Sequence, residues 1–279
     1  MKSARERRKP MPYANIFDSH AHYDDPAFDA DRESLLAALP ERGVCRVVDC
    51  GADLASSRRA IALAEKYPYF LAAAGIHPEE IAHLPPDWEA RLGALLSQPK
   101  VVAVGEIGLD YHFAENPPRE VQRAVFEKQV ALANARGLPV IVHDRDAHGD
   151  TLALLKKWKP AGVVHCFSGS VETMREILKL GMYIGLGGAV TFKNARVPVA
   201  VAKAVPADRL LLETDCPYMS PVPFRGKRND SSLIACTAEK IAQLRGVDTQ
   251  ALIDRARRNA EALFRCGARA VHPPARHSE

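Results

Sequence analysis

"VVAVGEIGLD", residues Val101 to Asp110, begins as a run of small and β-branched apolar residues and acquires two carboxylates, Glu106 and Asp110, towards its end. Seven further short apolar runs surround it in the chain: "NIFDSHAH", "VCRVVDCGA", "YFLAAAGIHP", "PVIVHDR", "GVVHCFSG", "MYIGLGG" and "LLLETDCP". Segments of helical periodicity separate them, among them "ADRESLLAALPERG", "ASSRRAIALAEKYP", "REVQRAVFEKQVALANARG" and "SVETMREILKLG", several closed by Gly or Pro. Near-continuous apolar strands alternating with helices imply a parallel sheet covered by helices, and eight such units are the number that closes a TIM barrel. An open doubly wound sheet is the alternative. The polar residues decide between them, because almost every run carries them late: His20 and His22, His77, Glu106 and Asp110, His143, His165, Glu213 and Asp215. In a (β/α)8 barrel the carboxyl ends of all strands surround one mouth, so these residues converge on a single site.

A chain of 279 residues suits one such barrel, and no break in composition marks a linker. The expected organisation is a basic N-terminal tail over 1–14, a single α/β domain over 15–266 and a C-terminal tail over 267–279. Charged residues make up 26% and apolar ones 47%, the balance of an ordinary globular protein. "MKSARERRKP" lacks the apolar run of a signal peptide, and no stretch approaches the roughly 20 apolar residues that span a bilayer, so a cytoplasmic protein is expected. The six cysteines lack C-x-x-C spacing, which excludes a zinc ribbon and argues against a disulfide framework. Cys166 and Cys216 adjoin polar strand ends and, by alternation, should pack outward. A net charge of +4 only weakly favours acidic partners.

His20 and His22 stand two apart on a strand, so their imidazoles face the same way. Alone, His-x-His is as readily a polar loop. With Glu106, His143, His165 and Asp215 it becomes a ligand set of imidazoles and carboxylates, suited to Zn²⁺, Mn²⁺ or Mg²⁺. Six ligands exceed the need of one catalytic ion and suit two divalent ions about 3.5–4 Å apart, with Glu106 the natural bridge.

Across Ile16 to Phe264, "DSHAH", "GIHP", "GEIGLDYH", "PVIVHDRDA", "HCFSG", "TFKNA", "LLETDCPY" and "RGKRND" follow one another in an order that resembles the TatD family of metal-dependent deoxyribonucleases, within the amidohydrolase-like barrel superfamily. The resemblance implies one ion on His20, His22 and Asp215, another on His143 and His165, and Glu106 between them. It also implies hydrolysis of DNA phosphodiesters, with single-stranded ends as substrate. Two departures stand out: Asp144 and Cys216 occupy positions where the family often has Ser and Ala.

Asp215 is the expected proton acceptor for the attacking water and, with Glu106, the catalytic pair. Arg225, Lys227 and Arg228 follow the eighth strand on a Pro- and Gly-rich loop, where they are expected to clamp phosphates. His77 and Glu213 are expected to contact substrate or orient a ligand, and Arg145, Lys193 and Asn194 are weaker rim candidates. His83, His112, His148, His272 and His277 show no partners in the sequence, and the aromatics form no evident stacking stripe, so nucleic-acid binding would be sequence-nonspecific. Two other functions compete with the nuclease: hydrolysis of a small amide, lactone or ester at the same centre, and a non-catalytic binding role.

Overall fold

The computed structural model describes residues 13–266. Eight strands, β1 (Ile16–Ala21), β2 (Val44–Cys50), β3 (Phe70–Ala74), β4 (Val101–Asp110), β5 (Val140–Arg145), β6 (Gly162–Val164), β7 (Tyr183–Leu186) and β8 (Leu210–Leu212), form one sheet in the order of the chain. Every neighbouring pair from β1–β2 to β7–β8 is parallel. A parallel bridge between Ala21 and Cys216 joins the first strand to the segment after the last, and the expected eight-unit barrel results.

The helices connecting these strands are α1 (Arg32–Ala38), α2 (Leu54–Lys66), α3 (Trp88–Leu95), α4 (Arg119–Arg136), α5 (His148–Trp158), α6 (Val171–Lys179) and α7 (Arg196–Ala204), followed by α8 (Ile234–Arg245) and α9 (Thr249–Phe264). Local chemistry sets their ends. Asp53 accepts from the backbone N–H of Ser56 in a capping box, Ser170 caps α6 and Asp248 caps α9, while Gly137 and Gly246 close α4 and α8 in the left-handed conformation. Among the described residues, no helix is long and apolar enough to cross a membrane. The last two residues of the expected N-terminal tail are held on the barrel: the Tyr13 hydroxyl donates to Glu239 (3.0 Å) and the Ala14 amide to Gln250 (3.1 Å). The expected C-terminal tail lies outside the described residues.

Two cores follow from the alternation of strand side chains. Phe17, Val48, Leu71, Ala73, Ala103, Ile141, Val163 and Leu211 fill the barrel, and Ala260, Leu263 and Phe264 of α9 close its amino-terminal end, with the Phe17 and Phe264 rings stacked at 6.1 Å. Ile16, Val47, Ala72, Val104, Val142, Val164, Ile184 and Leu212 face the helices. Advancing two residues from the inner core at Ile141 leads to His143, from Val163 to His165, and from Leu211 to Glu213 and Asp215. The inward row thus changes from apolar to functional as it nears the mouth.

Several strands end earlier than their apolar runs. β3, β6 and β8 stop at Ala74, Val164 and Leu212, which leaves His77, His165, Glu213 and Asp215 just beyond the ladder. Single hydrogen bonds prolong the register: His165 N–H to Val142 O (3.0 Å), Glu213 N–H to Leu186 O (3.4 Å) and Asp215 N–H to His20 O (3.0 Å).

At one position β4 approaches β5 too closely for a side chain. Gly108 has φ +152°, and a Cβ there would lie 1.9 Å from the carbonyl oxygen of His143. Gly108→Ala should therefore destabilise the fold by roughly 1–3 kcal/mol or more by forcing β5 outward. Urea unfolding measures this, and an unchanged midpoint would contradict the close approach.

Candidate metal centre

The end of β1 is fixed from within. The buried Asp18 accepts from the amides of His20 (3.2 Å) and Thr214 (3.0 Å) and from the hydroxyls of Thr214 (2.6 Å) and Ser231 (2.7 Å). One carboxylate thereby ties the segment bearing His20 to the segment bearing Asp215. Sequence reasoning missed this role, because Thr214 and Ser231 are about 200 residues away.

Glu106 stands at the centre of the mouth. Its Oε2 lies 3.2 Å from His20 Nε2 and 3.4 Å from His22 Nε2, and its Oε1 lies 2.9 Å from His143 Nδ1, 2.6 Å from His165 Nε2 and 3.6 Å from His77 Nε2. Asp215 Oδ1 lies 3.4 Å from His22 Nε2 and 3.6 Å from His20 Nε2. The donor atoms fall into three groups, each within 4.8 Å: His20, His22 and Asp215; His20, Glu106 and His165; His77, Glu106 and His143. All six expected ligands are therefore together. His77, expected to touch substrate, packs into the same cluster, its ring 4.4 Å from that of His143.

The donor set fits divalent cations. His22 Nδ1 donates to the Cys50 carbonyl (2.8 Å), which fixes the ring with Nε2 directed at Asp215 and Glu106. His20 Nε2 and His22 Nε2 are 3.0 Å apart, and His165 presents both ring nitrogens without an aligned partner. Ring nitrogens and carboxylate oxygens from several strands, crowded within 4.8 Å of one another, are what a divalent cation would satisfy.

The charges of the cluster differ from residue to residue. Burial disfavours the ionised form of Glu106, yet His165, His20 and His77 overcome it and hold the carboxyl well below its usual range. Asp215 is also held low, since the hydrogen bond from His22 and the charges of His20 and His165 together outweigh its burial. Burial pushes His20 down to about 4 and His77 down to about 3, with neighbouring imidazoles adding to the effect. His143 moves the other way, to about 10, because its bonds to Asp110 (3.1 Å) and Glu106 overcome burial. Burial raises Glu213 to about 8, so this carboxyl keeps its proton near neutral pH; its Oε1 accepts from the Cys166 amide.

A mouth cavity of about 620 Å³ exposes this cluster, lined by His22, His77, Glu106, His143, His165 and Asp215 together with loop residues such as Arg59, Arg145 and Tyr218. Arg225, Lys227 and Arg228 do not line it. The Arg225 guanidinium lies 3.7 Å over the Phe192 ring, Arg228 makes a paired contact with Asp31 (2.8 and 2.7 Å), and Lys227 is exposed. Lys193 and Asn194 are likewise absent from the cavity wall, whereas Arg145 is on it. Cys166 was expected to face outward, but its φ of +42° turns it onto the wall; Cys216 is buried in the outer core. His148 and His112 do have partners, Asp144 (2.8 Å) and Asp146 (2.8 Å). The first pair explains how Asp144 is accommodated at the rim.

A parallel eight-stranded barrel that gathers histidines and carboxylates around one shared glutamate at its carboxyl mouth defines the class of metal-dependent hydrolases. The model of the TatD related DNase family matches residues 17–265, and the chain belongs to that family. It is 41% identical over 253 residues to the uncharacterized metal-dependent hydrolase YabD of Bacillus subtilis, covering 90% of this chain and 99% of that protein. It is 36% identical over 257 residues to the 3'-5' ssDNA/RNA exonuclease TatD of Cronobacter sakazakii, covering 89% and 97%. Among solved structures, the TatD homolog YjjV of Escherichia coli superposes with a TM-score of 0.85 at 33% identity, covering 90% of this chain and 98% of that one.

Proposed function

We propose that this protein is a nuclease that removes nucleotides from single-stranded DNA ends without sequence preference, with two divalent ions, Mg²⁺, Mn²⁺ or Zn²⁺, as cofactors. The observation that carries the proposal is Glu106, whose two oxygens face different histidine groups and so offer a bridge. His20, His22 and Asp215 would hold one ion, and His143 and His165 the other. Such ions, when bound, offset phosphate charge and make water more acidic. Asp215, ionised and 20% exposed at its side chain, is suited to take the proton from an attacking water. Glu213, buried off the cavity wall with its Oε1 accepting from the Cys166 amide, is suited to position the segment that carries His165 rather than to touch substrate. The similarity to the Cronobacter 3'-5' ssDNA/RNA exonuclease supports single strands and adds RNA as a second substrate to test. Six unpaired cysteines support a reducing compartment, and we assign the protein to the cytoplasm.

The test is incubation with Mg²⁺ or Mn²⁺ and DNA or RNA labelled at either end, beside a panel of small esters, lactones and amides. Stepwise shortening of single strands is expected. Hydrolysis confined to the small substrates would replace the nuclease with the competing hydrolase.

The loop cations refine the phosphate clamp. Each phosphate contact to a single strand steepens the salt dependence of affinity by roughly 0.7 in log–log slope. Arg228→Ala should leave that slope unchanged, since Asp31 already engages its guanidinium, whereas Lys227→Ala should flatten it. Equal slopes for the parent and the Lys227 variant would remove this loop from the nucleic-acid path.

A further inference from the structure

For a site that takes a polyanion, the mouth is short of cations. Beyond Glu106 and Asp215, its wall carries Asp24, Asp25, Asp53, Glu79, Glu80 and Asp144, against Arg59 and Arg145. Arg59 is already paired with Asp24 (2.9 Å). Cationic side chains on the cavity wall are therefore few, and contacts to another part of the nucleotide would have to add to whatever the metal centre contributes.

Two exposed aromatics supply a surface for it. Phe113, 38% exposed, sits in the loop between β4 and α4. The loop is braced: Gln122 donates to the carbonyls of Asp110 (2.9 Å) and Pro117 (2.8 Å), and His112 pairs with Asp146. The Arg145 guanidinium lies 4.7 Å over the Phe113 ring and also reaches the cavity wall. Tyr218, 56% exposed, follows β8 on the cavity wall. Its hydroxyl donates to Asp25 (2.8 Å) and Asn229 donates to its carbonyl (2.7 Å), so the ring is held upright while remaining open. In an eight-stranded barrel in sequential order, the loops after β4 and β8 lie on opposite sides of the mouth.

We infer that Phe113 and Tyr218 are base-stacking residues that grip a single strand from opposite rims, with Arg145 beside Phe113 meeting the intervening phosphate. The inference rests on the nuclease reading and deepens it: the recognised element is the exposed π-face of an unpaired base. Every base offers that face, which accounts for binding without sequence preference, and a duplex hides it. Sequence patterning did not reveal the pair because the two aromatics lie over a hundred residues apart with no periodic relation.

The experiment compares binding of fluorescent dT12 with that of a twelve-unit abasic strand carrying the same phosphates, by anisotropy with Ca²⁺ as the only divalent ion. Cleavage of dT12 in Mg²⁺ is followed separately. The parent should bind the abasic strand at least about ten-fold more weakly. Phe113→Ala and Tyr218→Ala should each weaken dT12 binding by about five-fold or more while leaving the abasic strand unaffected, and Phe113→Trp and Tyr218→Phe should restore it. A parent that cuts dT12 yet binds both strands equally would overturn the stacking and leave the nuclease standing, as would alanine variants that weaken both strands alike. A parent that neither binds nor cuts any nucleic acid would overturn both.

Discussion

Asp215→Asn should lower the single-turnover rate of phosphodiester cleavage by about 10²–10⁴-fold while substrate binding stays within a few-fold of the parent. The amide keeps the size of the side chain and one oxygen facing His20 and His22, but it cannot take a proton from water. The carboxyl is suited to that task because the hydrogen bond from His22 and the neighbouring imidazoles His20 and His165 together outweigh its burial and keep it ionised at neutral pH. Its backbone is held by the bond to His20 O and by the network around Asp18, so the substitution should change chemistry more than position. The measurement needs metal content determined on the same samples, since Asp215 is also a proposed ligand. A variant with full metal content and near-parental turnover would exclude Asp215 as the proton acceptor.

Glu106→Gln should have the broader effect, removing the bridge and the charge that organises the cluster. Five imidazoles lie within 3.6 Å of this one carboxylate, at distances between 2.6 and 3.6 Å. In chelator-treated protein at pH 7, losing that charge should cost about 3–5 kcal/mol, the usual consequence of removing one partner of a buried ionic cluster. The sign of the pH dependence is set by the direction of the shift. The folded carboxyl lies below its unfolded value, so its contribution is present above the ordinary glutamate pKa and disappears as the pH falls through the folded value. The difference between parent and variant in urea should accordingly shrink in acid. With metal restored, the variant should retain fewer ions per chain than the parent, measured by elemental analysis, and turn over at least about 10²-fold more slowly. Equal metal content and equal stability at pH 7 would remove Glu106 from the centre of the site.

The sequence by itself determined the number and order of the strands, the helices between them and which polar residues gather at the mouth. Those features are local: an apolar run, a capping residue or a terminal glycine acts over a few positions, and a strand that turns polar near its end does so in a parallel barrel for the same reason each time. Hence the convergence of His20, His22, Glu106, His143, His165 and Asp215 is legible in the chain itself. What the tertiary structure decided was which of them face which, and what the rim is made of. Groups that meet across the mouth come from strands tens to hundreds of residues apart, and nothing in one segment encodes the angle at which another arrives. His77 joined the cluster because, just past the end of β3, its Nε2 comes within 3.6 Å of Glu106 Oε1. Arg228 left the substrate path because Asp31, 197 positions away, claims its guanidinium. Phe113 and Tyr218 became a facing pair only when β4 and β8 took opposite places in a closed sheet. Chain chemistry selects the residues that crowd the mouth; barrel closure, which no local pattern carries, sets their partners.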